Sequence, residues 1–407
     1  MIRVVKIYFM PVLVMLIFFL GEICSCTQIL SGSLDGSKIN HTWAMILSVI
    51  AYSLLIKDLF NGLITKKIFK ILAILFLLLI LYSSSSFFYG SNSKYTSYLL
   101  VYIAETIPAA YIGMRFARFN SLDRLNDLLP YFVFFTSVLI GTIGLRYAAI
   151  GERVSHDDSG LNYQSVSYYM AFGFSYACYY AFFREKKSFN ICNAILRGLM
   201  ILMMFYCAII CLMSGGRGAF VYIVGLSFYL VVYYLKRSKR HLMWATLVVV
   251  AVAVTIAFLM KHFNVMESAG MLRVMDRITD DDERMGLYRK AFDVFMDSPI
   301  FGKGVGSIWW TVGFYSHNMV LDILAEMGLI GFFFFIPILL RTLYRLYQNS
   351  YFEKTFVLLF IVMSGALIRN IFSSYWVSAT KLFFICSFVY CLPKLNQFKY
   401  KYIKKNK

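Results

Sequence analysis

The stretch KKIFKILAILFLLLILYSSSSFFY, residues 66–89, decides the fold class. Three lysines lead into an apolar run from Ile71 to Tyr82 that carries no charge. About 20 apolar residues are needed to cross a bilayer as a helix. The basic residues at one end give the crossing a direction, because Lys and Arg collect on the cytoplasmic side. Working outward, similar runs stand at approximately 5–29, 41–60, 68–88, 95–117, 129–150, 162–183, 195–213, 218–235, 242–260, 317–342, 355–375 and 376–393. The sequence therefore predicts an all-α polytopic membrane protein of about twelve transmembrane helices.

Composition agrees. Of 407 residues, 60% are hydrophobic and 15% charged, against about 25% charged in an ordinary soluble domain. A single soluble core cannot hide that much apolar surface, and disorder needs low hydrophobicity. The net charge of +19 would suggest nucleic acid in a soluble protein. Here most basic residues fall on one side once the runs alternate, from Arg3 and Lys6 through Lys66, Arg115, Arg184 and Lys236 to the 394–407 tail. The basicity orients helices, and no nucleic-acid partner is expected. Both termini are expected in the cytoplasm, with 1–260 forming nine helices, 261–316 one large extracytoplasmic loop, 317–393 three more helices and 394–407 a basic cytoplasmic tail.

The first run follows Arg3 and Lys6 and could be read as a signal peptide. Gly21-Glu22-Ile23-Cys24 is not a small-x-small cleavage site, so an uncleaved anchor is expected. The eight cysteines form no zinc or disulfide framework. Cys178, Cys207, Cys211, Cys386 and Cys391 sit in apolar runs and read as small core residues. Pro108 follows Glu105 in the fourth run and is a candidate kink.

The loop carries most of the chemistry. After Asp280-Asp281-Asp282, of which Asp281 or Asp282 could cap a helix, residues 283–296 have helical period. Tyr288, Ala291, Phe292, Phe295 and Met296 form one apolar face, and Arg284 shares it. Arginine on an apolar face needs an anion or a wet cavity. Arg289, Lys290 and Asp293 point elsewhere. Gly302-Lys303-Gly304-Val305-Gly306 has the glycines of a phosphate loop without the strand–helix context, and reads better as a tight turn. The tenth run opens on Ser316-His317-Asn318, where Ser316 or Asn318 could simply cap the helix. Asp322 and Glu326 lie deeper in that run, one turn apart. Carboxylates there are costly unless paired or hydrated, so the helix is expected to line a wet cavity. Between the seventh and eighth runs, Ser214-Gly215-Gly216-Arg217 holds an arginine at the outer boundary, facing either a ligand or lipid phosphates.

At these residues the sequence resembles the O-antigen ligase and O-antigen polymerase superfamily of bacterial envelope glycosyltransferases. SGGRGA (214–219) is like the family's S-x-S-R-G-A element, with glycine at 216 where the family often has serine. ERMGLYRKAFDVFMDSPIFGKGVG (283–306) is like its Arg-led helix followed by proline and a G-x-G turn. HNMVLDILAEMGLIG (317–331) is like its His-led helix. The resemblance covers roughly 205–335. It implies a glycosyltransferase C-like fold in the bacterial inner membrane and a metal-independent transferase that needs no cofactor. Its substrate would be an undecaprenyl-diphosphate-linked oligosaccharide, drawn from membrane lipid, for lipopolysaccharide or another surface polysaccharide. A chain-length regulator protein is a possible partner.

The residues suit that chemistry. Arg217 and Arg284 can grip a departing diphosphate bidentately, and His317 can take the acceptor proton. These three are the expected catalytic residues; Arg217, Arg284, Arg289, Asn318 and Glu326 are expected substrate contacts. A polymerase is favoured over a ligase, because the loop is short for a broad lipid A–core acceptor. A flippase would place its charges on broken helices near the midplane, whereas Arg217, Arg284 and His317 all map to one surface.

Overall fold

The computed structural model describes residues 2–31, 36–89, 93–119, 122–149, 155–156, 161–183, 191–235, 250, 283–350 and 354–392. Helices occupy every expected apolar run except 242–260, which apart from residue 250 lies outside the described residues. The acidic cluster 280–282, the rest of the loop from 261 and the 394–407 tail also lie outside them. The helices are α1 (Ile2–Ser31), α2 (Gly36–Phe60), α3 (Lys66–Tyr89), α4 (Ser93–Val101), α5 (Ile107–Phe119), α6 (Leu122–Ala149), α7 (Tyr163–Cys178), α8 (Ile191–Met213) and α9 (Arg217–Leu235). After the loop come α10 (Glu283–Asp297), α11 (Ser307–Val312), α12 (Met319–Ser350), α13 (Lys354–Phe372) and α14 (Thr380–Cys391). A two-residue antiparallel bridge, Ser155–His156 with Leu161–Asn162, precedes α7. Among the described residues, five helices are long and apolar enough to cross a membrane: Lys66–Ser85, Tyr95–Arg118, Leu125–Ala148, Asn193–Met213 and Met319–Ser350. The protein is an all-α, multi-pass membrane protein.

The chain divides into two compact units. Residues 1–21, 40–128 and 281–407 form the first, and residues 22–39 and 129–280 the second.

In the first unit, α5 packs against α14. Ala109, Ala110 and Gly113 make that face of α5 small, and a Cβ on Gly113 would stand 2.4 Å from the carbonyl oxygen of Phe384. Small residues let membrane helices approach closely, where van der Waals contact drives association. Phe116 closes the seam against Phe384 and Phe388. Asp58 of α2 accepts from Arg115 Nε at 2.9 Å and from the Tyr111 hydroxyl at 2.7 Å. The pair satisfies a buried carboxylate that would be costly alone.

Between α4 and α5 the chain makes one π-helical turn, Tyr102–Thr106, closed by the N–H of Ile107 on the carbonyl of Tyr102. Pro108 has no N–H to offer the carbonyl of Ala104, so the regular ladder cannot continue there. The expected kink is this widened turn, and Glu105 lies in it. The Tyr52 hydroxyl donates to the carbonyl of Ile103 at 2.8 Å.

In the second unit, glycines again set the spacing of α6, α7 and α8. A Cβ on Gly141 would meet the Tyr206 ring, and one on Gly173 would meet Ser137 and Cys207. Cys178, Cys207 and Cys211 are buried in this core as free thiols. Asn162 caps α7 by accepting the N–H of Ser165 at 2.9 Å.

Candidate functional site

The site residues of the first unit gather around the start of α12. That helix is broken at Gly328 (φ 60°, ψ −159°). A regular helix would bond Leu329 to Ala325 and Ile330 to Glu326. Here the turn after α10 intervenes. Lys303 N–H donates to Ala325 at 3.0 Å and Gly304 N–H to Glu326 at 2.8 Å, while Leu329 donates to Pro299 and Ile330 to Ile300. The turn thus supplies partners for the carbonyls of Ala325 and Glu326 and the amides of Leu329 and Ile330, as a buried break requires. The glycines permit it: a Cβ on Gly302 would lie 2.3 Å from the backbone of Glu326, and one on Gly328 would lie 2.4 Å from the oxygen of Ile300. The Gly302–Gly306 stretch is a tight turn, as its context suggested, and the amides of Lys303 and Gly304 are committed to α12.

α10 occupies the expected range, but its inward face is rotated from the expected one. Ala291 and Val294 are buried, whereas Phe292 and Met296 are exposed. Helices α11 and α12 meet the line through Arg284, Leu287, Ala291 and Val294, and the Phe292–Met296 edge is left outside. Arg284 lies on the inward line as expected. Arg289 is exposed on the other side.

Arg284 Nη1 donates to the carbonyl of Phe372 at 3.1 Å. His317 stands in the left-handed region (φ 62°), a conformation rare outside glycine and enriched at functional sites. Its ring lies 4.4 Å from Tyr315 and 5.1 Å from Phe314, centroid to centroid. Burial, and then the nearby Arg284 guanidinium, hold the imidazole pKa down at about 4, against a smaller opposing effect from its hydrogen bond to the backbone of Ser373. The imidazole is therefore neutral at pH 7, and buried Nδ1 finds no hydrogen-bond partner among the described residues.

Asn318 caps α12: its side-chain oxygen accepts from Val320 at 3.0 Å and Leu321 at 3.2 Å. Asp322 and Glu326 are both fully buried, and neither faces an open wet cavity as expected. Asp322 Oδ1 accepts the N–H of Ser316 at 2.8 Å. Glu326 accepts from the Tyr375 hydroxyl at 2.6 Å and from Trp376 Nε1 at 2.9 Å. Pairing, not hydration, satisfies this carboxylate, because the 372–378 segment covers it. Burial first, then Glu326, raises the Tyr375 pKa, so that hydroxyl stays a donor.

Sequence reasoning missed Arg369 and Tyr375. Arg369 lies in the last turn of α13, and its charge reaches the Tyr315 hydroxyl. A lone arginine in an apolar helix is a recognisable signal. Tyr375 had none, because its role comes from a turn far along the chain.

In the second unit, Arg217 begins α9 after Gly215 (φ 72°), and its side chain lies outside the described residues. Gly216 N–H donates to the hydroxyl of Ser167 on α7 at 3.0 Å. A Cβ at 216 would fall 2.4 Å from Ser167 Cβ, so glycine is required beside that serine.

No curated protein matches the chain. Residues 202–336, about a third of it, match the family model described as O-antigen ligase. The matched stretch contains Arg217, Arg284, His317 and Glu326, and it implies glycosyltransferase-like activity generally. With that match, the chain is consistent with the O-antigen ligase and polymerase superfamily that its three motifs resemble.

Proposed function

We propose that the protein is a surface-polysaccharide polymerase at the outer face of the bacterial inner membrane, with both termini in the cytoplasm. It passes a growing glycan from undecaprenyl diphosphate to the next lipid-linked repeat unit. The observation that carries this reading is His317: a neutral imidazole beside the guanidinium of Arg284, with no partner for Nδ1 among the described residues.

The acceptor hydroxyl oxygen attacks the anomeric carbon of the donor. The bond from that carbon to the diphosphate oxygen breaks, and its electron pair leaves with the diphosphate. The hydroxyl proton passes to the imidazole of His317, a base that is already deprotonated at neutral pH. Negative charge grows on the departing diphosphate, where fixed cations lower the barrier. Arg284 serves there, because a guanidinium stays charged and grips two phosphate oxygens at once; Arg217 is assigned the same role from its motif alone. The arginines carry the charge compensation without a metal ion. A chain-length regulator protein would act on the length of the product.

A ligase passing the finished glycan to lipid A–core is the second reading, and the matched family model carries the description O-antigen ligase without separating the two. Surface-polysaccharide gels of a deletion strain separate the two. Loss of a polymerase leaves single repeat units attached, and loss of a ligase leaves none. Restoring the gene as His317→Ala should fail to restore long chains while lipid-linked donor accumulates. Normal long-chain polysaccharide in that strain would sink the assignment.

A further inference from the structure

The segment from the end of α13 toward α14, residues 372–378, touches Arg284, His317 and Glu326 in the first unit. At one end, the carbonyl of Phe372 accepts from Arg284, and the backbone of Ser373 holds the His317 ring. In the middle, Tyr375 and Trp376 donate to the two oxygens of Glu326. At the other end, the carbonyl of Val377 accepts from Thr106 Oγ1 at 2.9 Å. Thr106 closes the π turn of the α4–α5 helix. The segment is a strap whose first two carbonyls orient the cation and the base, and whose anchors are Glu326 and Thr106.

We propose that Glu326 is a positioning residue: through Tyr375 and Trp376 it fixes the strap that sets Arg284 and His317 beside each other. The inference rests on reading His317 as the base. Two facts favour it over a packing role. Glu326 is fully buried behind Tyr375 and Trp376, so it does not meet substrate. A carboxylate has two acceptor oxygens, and each takes one donor from adjacent strap residues, which fixes the strap in angle as well as distance, while the backbone of Gly306 holds the same carboxylate from the turn after α10.

The groups facing His317 are Arg284 from α10 and Tyr315. Around Tyr315 stand Tyr98 of α4, Asp322 of α12, Arg369 of α13 and Tyr375 of the strap. Loosening the strap uncovers the His317 ring and releases Arg284 from Phe372 as Ser373 withdraws. Burial and Arg284 hold the imidazole down more than Ser373 holds it up, so its titration should move upward.

The test is a histidine-ring NMR titration of the full chain in detergent, with the His317 signal assigned among five histidines by its loss in His317→Ala. In the wild type, His317 should stay neutral down to about pH 4. In Tyr375→Phe/Trp376→Phe it should titrate closer to the ordinary ~6.5. Thr106→Val loosens the far anchor without uncovering Glu326, so it serves if the double variant fails to fold, and it should move the titration the same way. In the transfer assay the double variant should lose about tenfold to a hundredfold in kcat with KM unchanged. An unmoved His317 titration in both variants, or a rise in KM alone, overturns the positioning role. If the wild type transfers no glycan, the polymerase reading fails, and the NMR titration still decides the strap.

Discussion

Asp322 accepts the backbone N–H of Ser316 at 2.8 Å, one residue before His317. The carboxylate thereby fixes the main chain at the point where it turns into the left-handed conformation of His317. Asp322→Asn keeps an acceptor oxygen in place and should retain most activity. Asp322→Ala leaves a buried N–H unpaired, at a cost of about 1–3 kcal/mol, and frees the backbone of the base. Thermal unfolding in detergent and the transfer rate, measured side by side, should both fall in Asp322→Ala and stay near wild type in Asp322→Asn.

The acid limb of the rate profile should report His317. A base works when deprotonated, so the rate should hold through pH 6 and 5 and fall only as pH drops through about 4. Arg284→Gln removes the nearby positive charge, so the imidazole holds its proton more readily. The acid limb should then move up toward ~6.5, on top of any loss in rate. For stability the sign is the same. The unfolded chain binds this proton near ~6.5 and the folded chain only near 4, so stability is full above ~6.5 and declines as pH falls between the two. A wild-type limb at ~6.5 would show that burial and Arg284 do not hold this imidazole down.

The glycines at the helix break offer a sharper stability test. A Cβ at Gly302 meets the backbone of Glu326 at 2.3 Å, and Gly328 combines positive φ with contact to Ile300. Neither obstacle is a flexible side chain. Gly302→Ala and Gly328→Ala should each cost several kcal/mol, roughly 3 or more, and sharply lower the yield of folded protein. Gly286 lies in α10 with nothing within 4 Å of a new Cβ. Gly286→Ala should be neutral or stabilising by about 1 kcal/mol. Melting temperatures of the three variants check this directly.

The contrast among these glycines shows what the sequence made legible. Helices stood out because a run such as Ile71–Tyr82 has no alternative in a bilayer. Arg284 and His317 stood out because charge in apolar surroundings demands a partner. The partners themselves were hidden. Glu326 and Tyr375 are 49 residues apart, and no periodicity links them. The inward face of α10 was misjudged by about one position, because its hydrophobic pattern continues past the line that α12 covers. Arg369 was visible by the same rule as Arg284, yet it sits at the end of a run that reads as an ordinary span.

Arg369 should therefore matter. It lies in the last turn of α13, four residues before Ser373, and its charge acts on Tyr315, whose ring stacks with Phe314 and meets His317 edge-on. Arg369→Gln should lower transfer by about tenfold, the scale of one charge-assisted contact at ~1.4 kcal/mol. Its melting temperature should change little, because the side chain is only half-buried. Wild-type transfer in Arg369→Gln would confine this charge to packing.

The second unit carries one compensation that can be tested without reference to the first. Ser167 accepts the N–H of Gly216 at 3.0 Å, and its Cβ sits 2.4 Å from where a side chain at 216 would begin. Gly216→Ser alone should displace α7 from the turn that precedes Arg217, lowering both stability and activity. Ser167→Ala should not rescue it, because the obstructing Cβ remains. Ser167→Gly clears the space, at a cost of about 1 kcal/mol for glycine inside a helix. The double variant Gly216→Ser/Ser167→Gly should then recover much of the activity lost in Gly216→Ser, with the hydroxyl now supplied by the turn. The readout is long-chain surface polysaccharide across the four strains. If the double variant is no better than Gly216→Ser, the steric account of this glycine is wrong.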